Sequence, residues 1–308
     1  MYDLIIVGGG VVGLSAAMYA GRLNMKTALI GDSIGGAIML TDVVENYPGF
    51  ERISGTELAE KFRKHAENYD VEIIEAQVES IVKKIKTFTI KSGGKAYETK
   101  TVLIATGTKH RPLNVPGEKE FEGNGVHSCA LCDGCFYKDK VIAVVGGSDS
   151  AGKEALLLTQ WGKKVYIIYR GEKIHPEPVN MKRIEENKKI EIISRTNIIQ
   201  IKGDKTVKSV VLDRPYKNNA ELMLDAVFIE IGFTPASQLA EILGVKINEK
   251  KEIMIDRESK TNVPGVFAAG DVVDAKFKQV ITGVGEAVSA VYSAYRYENG
   301  LANNKKDD

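Results

Sequence analysis

The chain has 308 residues, 44% of them hydrophobic and 27% charged, enough to bury a sizeable core and to divide into two domains. Its 42 basic and 41 acidic residues leave a formal charge of +1, which gives no overall electrostatic case for nucleic acid or an anionic membrane as a partner. No run of about 18 apolar residues occurs and the N-terminus carries no basic and apolar leader, so a cytoplasmic protein is expected.

The chain opens on a short apolar run, Tyr2 to Val7, that ends in Gly8, Gly9 and Gly10. Helical spacing follows from Val11 to Leu23, with small residues at Ala16, Ala17 and Ala20, and then a second apolar run from Lys26 to Ile30. Strand, turn, helix and strand in thirty residues have the length and punctuation of a βαβ unit. Gly8, Gly10 and Gly13 match Gly-x-Gly-x-x-Gly, in which the first glycine makes the tight turn, the second admits a pyrophosphate and the third lets helix pack on strand. Asp32, just past the second strand, is placed to take a ribose hydroxyl; a plain loop aspartate is the alternative.

Short β-type runs fill Val71 to Ile90. A second copy of the opening pattern begins at Lys140. Val141 to Val145 reads as a strand, Gly146-Gly147-Ser148-Asp149-Ser150-Ala151 as the turn, Gly152 to Gly162 as a helix and Val165 to Tyr169 as the next strand. Ile190 to Ile231 is again β-rich, and the last fifty residues return to strand, Gly-Asp and a helix over Gly283 to Asn299. The expected organisation is therefore α/β with a discontinuous first domain (1–111 and 238–308), a second dinucleotide-type domain inserted at 112–237, and crossings near Pro112 and Pro235. The polar tail, Asn303 to Asp308, is expected to fray.

All three cysteines, Cys129, Cys132 and Cys135, fall within seven residues, which suits redox or metal chemistry better than a disulfide scaffold. Either overlapping Cys-x-x-Cys pair can close across one helical turn, and a cysteine at a helix N-terminus gains thiolate character. A structural zinc wants four protein ligands and an iron–sulfur cluster a fourth cysteine, so no metal is expected. Asp133, directly after the second cysteine, offers the proton donor and acceptor that dithiol exchange needs.

Cys129-Ala-Leu-Cys132-Asp133-Gly134, followed by an aromatic pair and a second glycine turn, resembles the low-molecular-weight thioredoxin reductases. Gly8-x-Gly10-x-x-Gly13, Gly35-Gly36, Glu45-Asn46-Tyr47-Pro48-Gly49, Ala105-Thr106-Gly107 and Val263 through Gly270-Asp271 stand in the same order as in that family. The resemblance implies two Rossmann-like nucleotide-binding domains of the three-layer ββα type, the FAD/NAD(P)-binding disulfide oxidoreductase architecture. It implies an FAD in the first domain, with its pyrophosphate at the Gly8 turn, its ribityl chain near Asp271, and its ring approached by Asn46, Lys278, Gln279 and Val280. It further implies that Cys132 faces the flavin, Cys129 attacks the substrate disulfide and Asp133 is the acid–base group, while Cys135, where that family usually has an aromatic residue, takes a packing position, with a third redox thiol as the alternative. A homodimer, a swing of the inserted domain about its two crossings and thioredoxin or a similar small thiol protein as acceptor belong to the same implication.

The second turn departs from the family pattern. NADPH-dependent members carry Gly-x-Gly-x-x-Ala, which here reads Gly146-x-Ser148-x-x-Ala151, and a side chain at Ser148 crowds the approach to a pyrophosphate. They also carry His-Arg-Arg-x-x-x-Arg, which here is Tyr169-Arg170-Gly171-Glu172-Lys173-Ile174-His175, so that Arg170 alone is left of the three phosphate-binding arginines. Reduced ferredoxin is the preferred donor on this reading, with Lys138, Lys140, Lys163, Lys164, Lys173 and Lys182 as basic docking charge; NADP(H) or NADH is the alternative. A flavin oxidase or a ferredoxin–NAD(P) reductase-like enzyme without a disulfide relay is the competing class, against which Cys129 and Cys132 count.

Overall fold

A computed structural model describes residues 1–301; the tail from Asn303 lies outside the described residues. The chain forms two compact units, one from Met1–Lys109 together with the chain from Thr234 onward, the other from His110–Phe233.

In the first unit β1 (Tyr2–Val7) leads into α1 (Val11–Arg22), β2 (Thr27–Gly31), α2 (Gly55–Glu67), β3 (Val71–Glu75), β4 (Val78–Lys83), β5 (Phe88–Ser92) and β6 (Lys95–Ile104), after which β7 (Thr108–His110) carries the chain across the boundary at Lys109. Strands β3, β2, β1 and β6 lie side by side and parallel, and β5 and β4 extend the sheet antiparallel. Leu4, Ile5 and Ile6 are fully buried in succession, the mark of a parallel strand covered on both faces.

In the second unit β8 (Val126–His127) precedes α3 (Ala130–Asp133), β9 (Val141–Val145), α4 (Asp149–Leu158), β10 (Lys164–Ile168), α5 (Pro178–Glu186), β11 (Ile190–Ile193), β12 (Ile198–Gly203), β13 (Val207–Tyr216), β14 (Asn219–Met223) and β15 (Ala226–Ile229). The order β11-β10-β9-β15-β8 makes an all-parallel sheet, and β12-β13-β14 a separate antiparallel one. The chain leaves through β16 (Phe233–Pro235), which pairs with β7. It then adds α6 (Gln238–Ile242), β17 (Val266–Ala268), which joins the first sheet beside β6, and α7 (Val280–Glu298). Buried Ala16, Ala17 and Ala20 of α1 share one core cluster with Ala287, Ala290 and Ala294 of α7, since small side chains let two helices approach closely.

The predicted strands match to within about a residue, whereas two helices start earlier than their spacing suggested. Ser148 is extended, with φ −83° and ψ 179°, and serves as the N-cap, so α4 begins at Asp149 rather than Gly152. After Leu158 the backbone tightens into three successive i to i−3 bonds ending at Trp161. Helix α7 begins at Val280 because Gln279 and Thr282 close a capping box. No helix among the described residues is long and apolar enough to cross a membrane.

Candidate functional site

Gly8 has φ +123°, a conformation that side chains resist, and a Cβ there would lie 2.2 Å from the Ala105 carbonyl oxygen. Gly10 is different. A Cβ there would meet nothing nearer than Gly36 Cα at 3.8 Å, so the turn is open on that side. Gly10 is the N-cap of α1 and no side chain caps the helix, which leaves its first N–H groups to an outside acceptor at the positive end of the helix dipole. A Cβ on Gly13 would stand 2.0 Å from Gly8 O, and the Gly35 N–H donates to Gly9 O at 2.9 Å, with Gly36 beside Gly10. Gly8 and Gly13 thus let strand, turn and helix pack closely, and the open side at Gly10, with the uncapped N-terminus of α1, presents backbone donors that fit the pyrophosphate of FAD.

Past the ends of the same strands, Thr106 Oγ1 donates to Ala236 O at 2.8 Å, and Gly107 turns the chain with φ +63°. The N–H of Gly270 is held by Glu286 Oε2 at 2.8 Å, and the Asp271 side chain is exposed beside it, as is Asp32 beyond β2. Lys278 Nζ reaches the carbonyls of Asp271 and Val273 at 2.8 and 2.9 Å and pairs with Glu252 at 2.7 Å. Asn46 Nδ2 donates to Gln279 Oε1 at 3.0 Å across 233 residues of sequence, immediately before Val280 opens α7.

In the second unit Cys129 and Cys132 are joined in a disulfide with Cα atoms 5.4 Å apart. Cys129 caps the short helix α3, and its Sγ accepts the Cys132 N–H at 3.1 Å, the contact that favours a thiolate there. The two differ in exposure: Cys129 is buried at 6%, whereas Cys132 is exposed. Cys135 is an exposed free thiol and not the packing residue that the resemblance implies. The 3₁₀ turn Gly134–Tyr137 sets Gly134 against the Trp161 ring and turns Cys135 and the 76%-exposed Phe136 outward.

Three residues that sequence reasoning passed over surround this pair. His127 Nδ1 lies 3.1 Å from Asp133 Oδ2, and its Nε2 lies 2.7 Å from the Tyr137 hydroxyl. Burial holds the imidazole below its ordinary pKa against the opposing pull of Asp133. Glu154 Oε2 accepts the Ala130 N–H at 2.7 Å, and burial pushes its carboxyl up to about 7. The only available signal was that one of four histidines in the whole chain stands two residues ahead of Cys129.

At the second glycine turn Gly146 has φ +152°, in the same role as Gly8. The Ser148 side chain makes no cap bond, and Ala151 is fully buried. Tyr169 packs between Gly147 and Gly171: a Cβ on either glycine would lie 2.5 Å from its ring. His175 N donates to Gly147 O at 2.7 Å, drawing the segment after β10 back onto the turn, and Arg170 is exposed. The Asp149 carboxylate, in the first turn of α4, takes the Glu177 N–H and the Asn180 Nδ2, each at 2.8 Å, and pairs with Lys153. Glu230 lies just past β15 and is 4% exposed; burial first, and then Glu154, push its carboxyl up to about 8. Its Oε1 is 3.8 Å from His110 Nδ1, which has no hydrogen-bond partner.

The family model described as pyridine nucleotide-disulphide oxidoreductase matches residues 2–290. The thioredoxin reductase of Bacillus subtilis is 36% identical over 304 residues, which cover 98% of this chain and 96% of the relative. The crystal structure of Lactococcus lactis thioredoxin reductase in its FR conformation is similar with a TM-score of 0.94 and 37% identity, over 98% of this chain and 100% of that one. A ferredoxin-flavin thioredoxin reductase from Clostridium acetobutylicum is similar with a TM-score of 0.53 and 31% identity, over 97% and 98%.

Proposed function

The chain belongs to the pyridine nucleotide-disulphide oxidoreductase family and, within it, to the low-molecular-weight thioredoxin reductases, and on that premise we propose that it is a thioredoxin-disulfide reductase working through FAD and the Cys129–Cys132 pair. The observation that carries this reading is a disulfide at the N-terminus of a helix, with Asp133 in the next position. FAD, when bound, supplies the two-electron carrier. The residues that would hold it are the Gly8–Gly13 turn with Gly35 and Gly36, Asp32 at the ribose, Thr106 and Gly107, Gly270 and Asp271, and Asn46 with Lys278, Gln279 and Val280.

Once the pair is reduced, the Cys129 thiolate attacks the disulfide of a thioredoxin-like protein, forming a mixed disulfide and releasing one partner thiolate. Asp133 accepts the proton of Cys132. The Cys132 thiolate then attacks Cys129 Sγ, which restores the internal disulfide and releases the second partner thiolate. Helix capping supports Cys129 as the nucleophile, whereas its 6% exposure requires that it be uncovered first. The exposed Phe136 offers an apolar contact beside the pair. A homodimer is part of the same reading and is tested by sedimentation equilibrium.

For the donor we favour reduced ferredoxin. Tyr169 held between Gly147 and Gly171, a side chain at Ser148 and a single exposed arginine at Arg170 are a poor fit to the phosphates of NADPH, and one similar structure is of a ferredoxin-flavin enzyme. Lys138, Lys163 and Lys173 are exposed on this unit, whereas Lys140, Lys164 and Lys182 already pair with Asp225, Glu191 and Glu186. The deciding experiment is anaerobic visible spectroscopy with NADPH, NADH and a reduced-ferredoxin system added in turn, followed by oxidised thioredoxin. Bleaching by ferredoxin alone, with recovery on thioredoxin, supports the reading; rapid bleaching by micromolar NADPH replaces ferredoxin with the nicotinamide.

A further inference from the structure

We propose that His127 is the positioning residue of the cysteine site, holding the Asp133 carboxylate for proton exchange while Tyr137 fixes the imidazole tautomer. The inference rests on the reading of Asp133 as acid–base group, and it adds a residue that neither the Cys-x-x-Cys-Asp pattern nor its spacing contains. His127 closes β8 two residues before Cys129, and its ring stacks on Phe228 of β15 with centroids 5.2 Å apart and planes 28° apart. The stack leaves both nitrogens aimed at the turn that follows the cysteines. Nδ1 stands 3.1 Å from Asp133 Oδ2 and Nε2 stands 2.7 Å from Tyr137 Oη, while the side chain is only 6% exposed.

The charged surroundings decide the tautomer. Asp133 faces Nδ1, Tyr137 faces Nε2, Asp225 acts on Tyr137, Glu154 acts through Asp133, and β15 contributes only the Phe228 ring. A carboxylate accepts only, so Nδ1 carries the hydrogen and Nε2 accepts from the Tyr137 hydroxyl. An N–H donated to a carboxylate favours its ionised form and fixes one of its two oxygens, leaving the second for the cysteine pair. Disulfide exchange by Cys129 and Cys132 needs one proton taken up or released per cycle step beside a leaving thiolate, and a carboxylate free to rotate serves it poorly.

The test uses the flavin-loaded protein, with its dithiol reduced by dithiothreitol and alkylated by iodoacetamide, and mass spectrometry of the cysteine peptide across pH. It needs neither the physiological donor nor thioredoxin. H127F keeps a ring for Phe228 and deletes both hydrogen bonds. It should move the acid limb of the alkylation profile up by about one pH unit, as expected for one lost bond to a carboxylate. H127N places an N–H where Nδ1 stood and should restore the limb, whereas H127Q places it at the Nε2 position and should not. Y137F, which keeps the Asp133 contact, should shift the limb less than H127F. A wild-type profile in H127F, or equal profiles for H127N and H127Q when H127F does not fold, overturns the proposal. A protein that shows these shifts yet never reduces thioredoxin keeps the positioning role and loses the proposed acceptor.

Discussion

Glu154, in the middle of α4, accepts the N–H of Ala130 at 2.7 Å and so ties the helix after the second glycine turn to the first residue of the cysteine helix. Replacing it with leucine orphans a fully buried N–H group and should cost about 1 to 3 kcal/mol in denaturant unfolding. E154Q keeps an acceptor oxygen and should cost less than half of that. Equal losses for the two variants would show that the bond is unimportant to the stability of this unit.

Glu230 gives the second unit a pH dependence of definite sign. Its carboxyl titrates near 8 in the folded chain against an ordinary value of 4.5. Below the lower value both states hold the proton; between the two, the unfolded chain releases a proton that the folded chain keeps, so stability falls as pH rises and the loss is complete above about 8. The total is about 5 kcal/mol at most. E230Q should melt like wild type at pH 5 and several degrees higher at pH 9, as read by calorimetry; parallel melting curves at the two pH values would contradict this.

The cysteines separate by role. C129S and C132S should each abolish thioredoxin reduction, whereas C135S should keep nearly full turnover, because its thiol is exposed and unpaired with the other two. C132S should accumulate a mixed disulfide with thioredoxin through Cys129, seen on a non-reducing gel. Accumulation in C129S alone would assign the attack to Cys132, the exposed member.

The donor preference has its own genetic test. A side chain on Gly171 collides with Tyr169, so G171R by itself should not create a phosphate site. The triple change S148G/Y169H/G171R opens the turn and adds a guanidinium. It should tighten NADP+ binding by roughly a hundredfold, about 3 kcal/mol, in isothermal titration. If wild type already binds NADP+ as tightly as the triple variant, Ser148 and Tyr169 do not exclude the nucleotide.

G8A tests the cradle. A methyl group 2.2 Å from the Ala105 carbonyl, on a backbone with φ +123°, should force the turn open, and the protein should purify with much less flavin absorbance while its second unit keeps its melting transition. Full flavin content in G8A would place the pyrophosphate elsewhere.

The sequence by itself determined the features that a few contiguous residues encode in backbone form. The turns of Gly8-x-Gly10-x-x-Gly13 and Gly146-Gly147 hinge on a positive φ at Gly8 and Gly146 that only glycine adopts easily, and the apolar runs Leu4–Val7 and Val141–Val145 require strands buried on both faces. Cys132 stands one helical turn from both Cys129 and Cys135, so the spacing left two pairs open; the family resemblance named Cys129 and Cys132, and these are the two that are joined. Tertiary structure alone decided which distant side chains complete these motifs. Asn46 meets Gln279 and Glu154 meets Ala130 because the order of strands in each sheet, set by burial of apolar faces, carries those segments together. Sheet order also put Phe228 under His127, which turned that ring toward Asp133, and placed Tyr169 between two glycines. Burial raised Glu154 and Glu230, and no local pattern announces it, because desolvation depends on everything packed around a group and not on its neighbours in the chain.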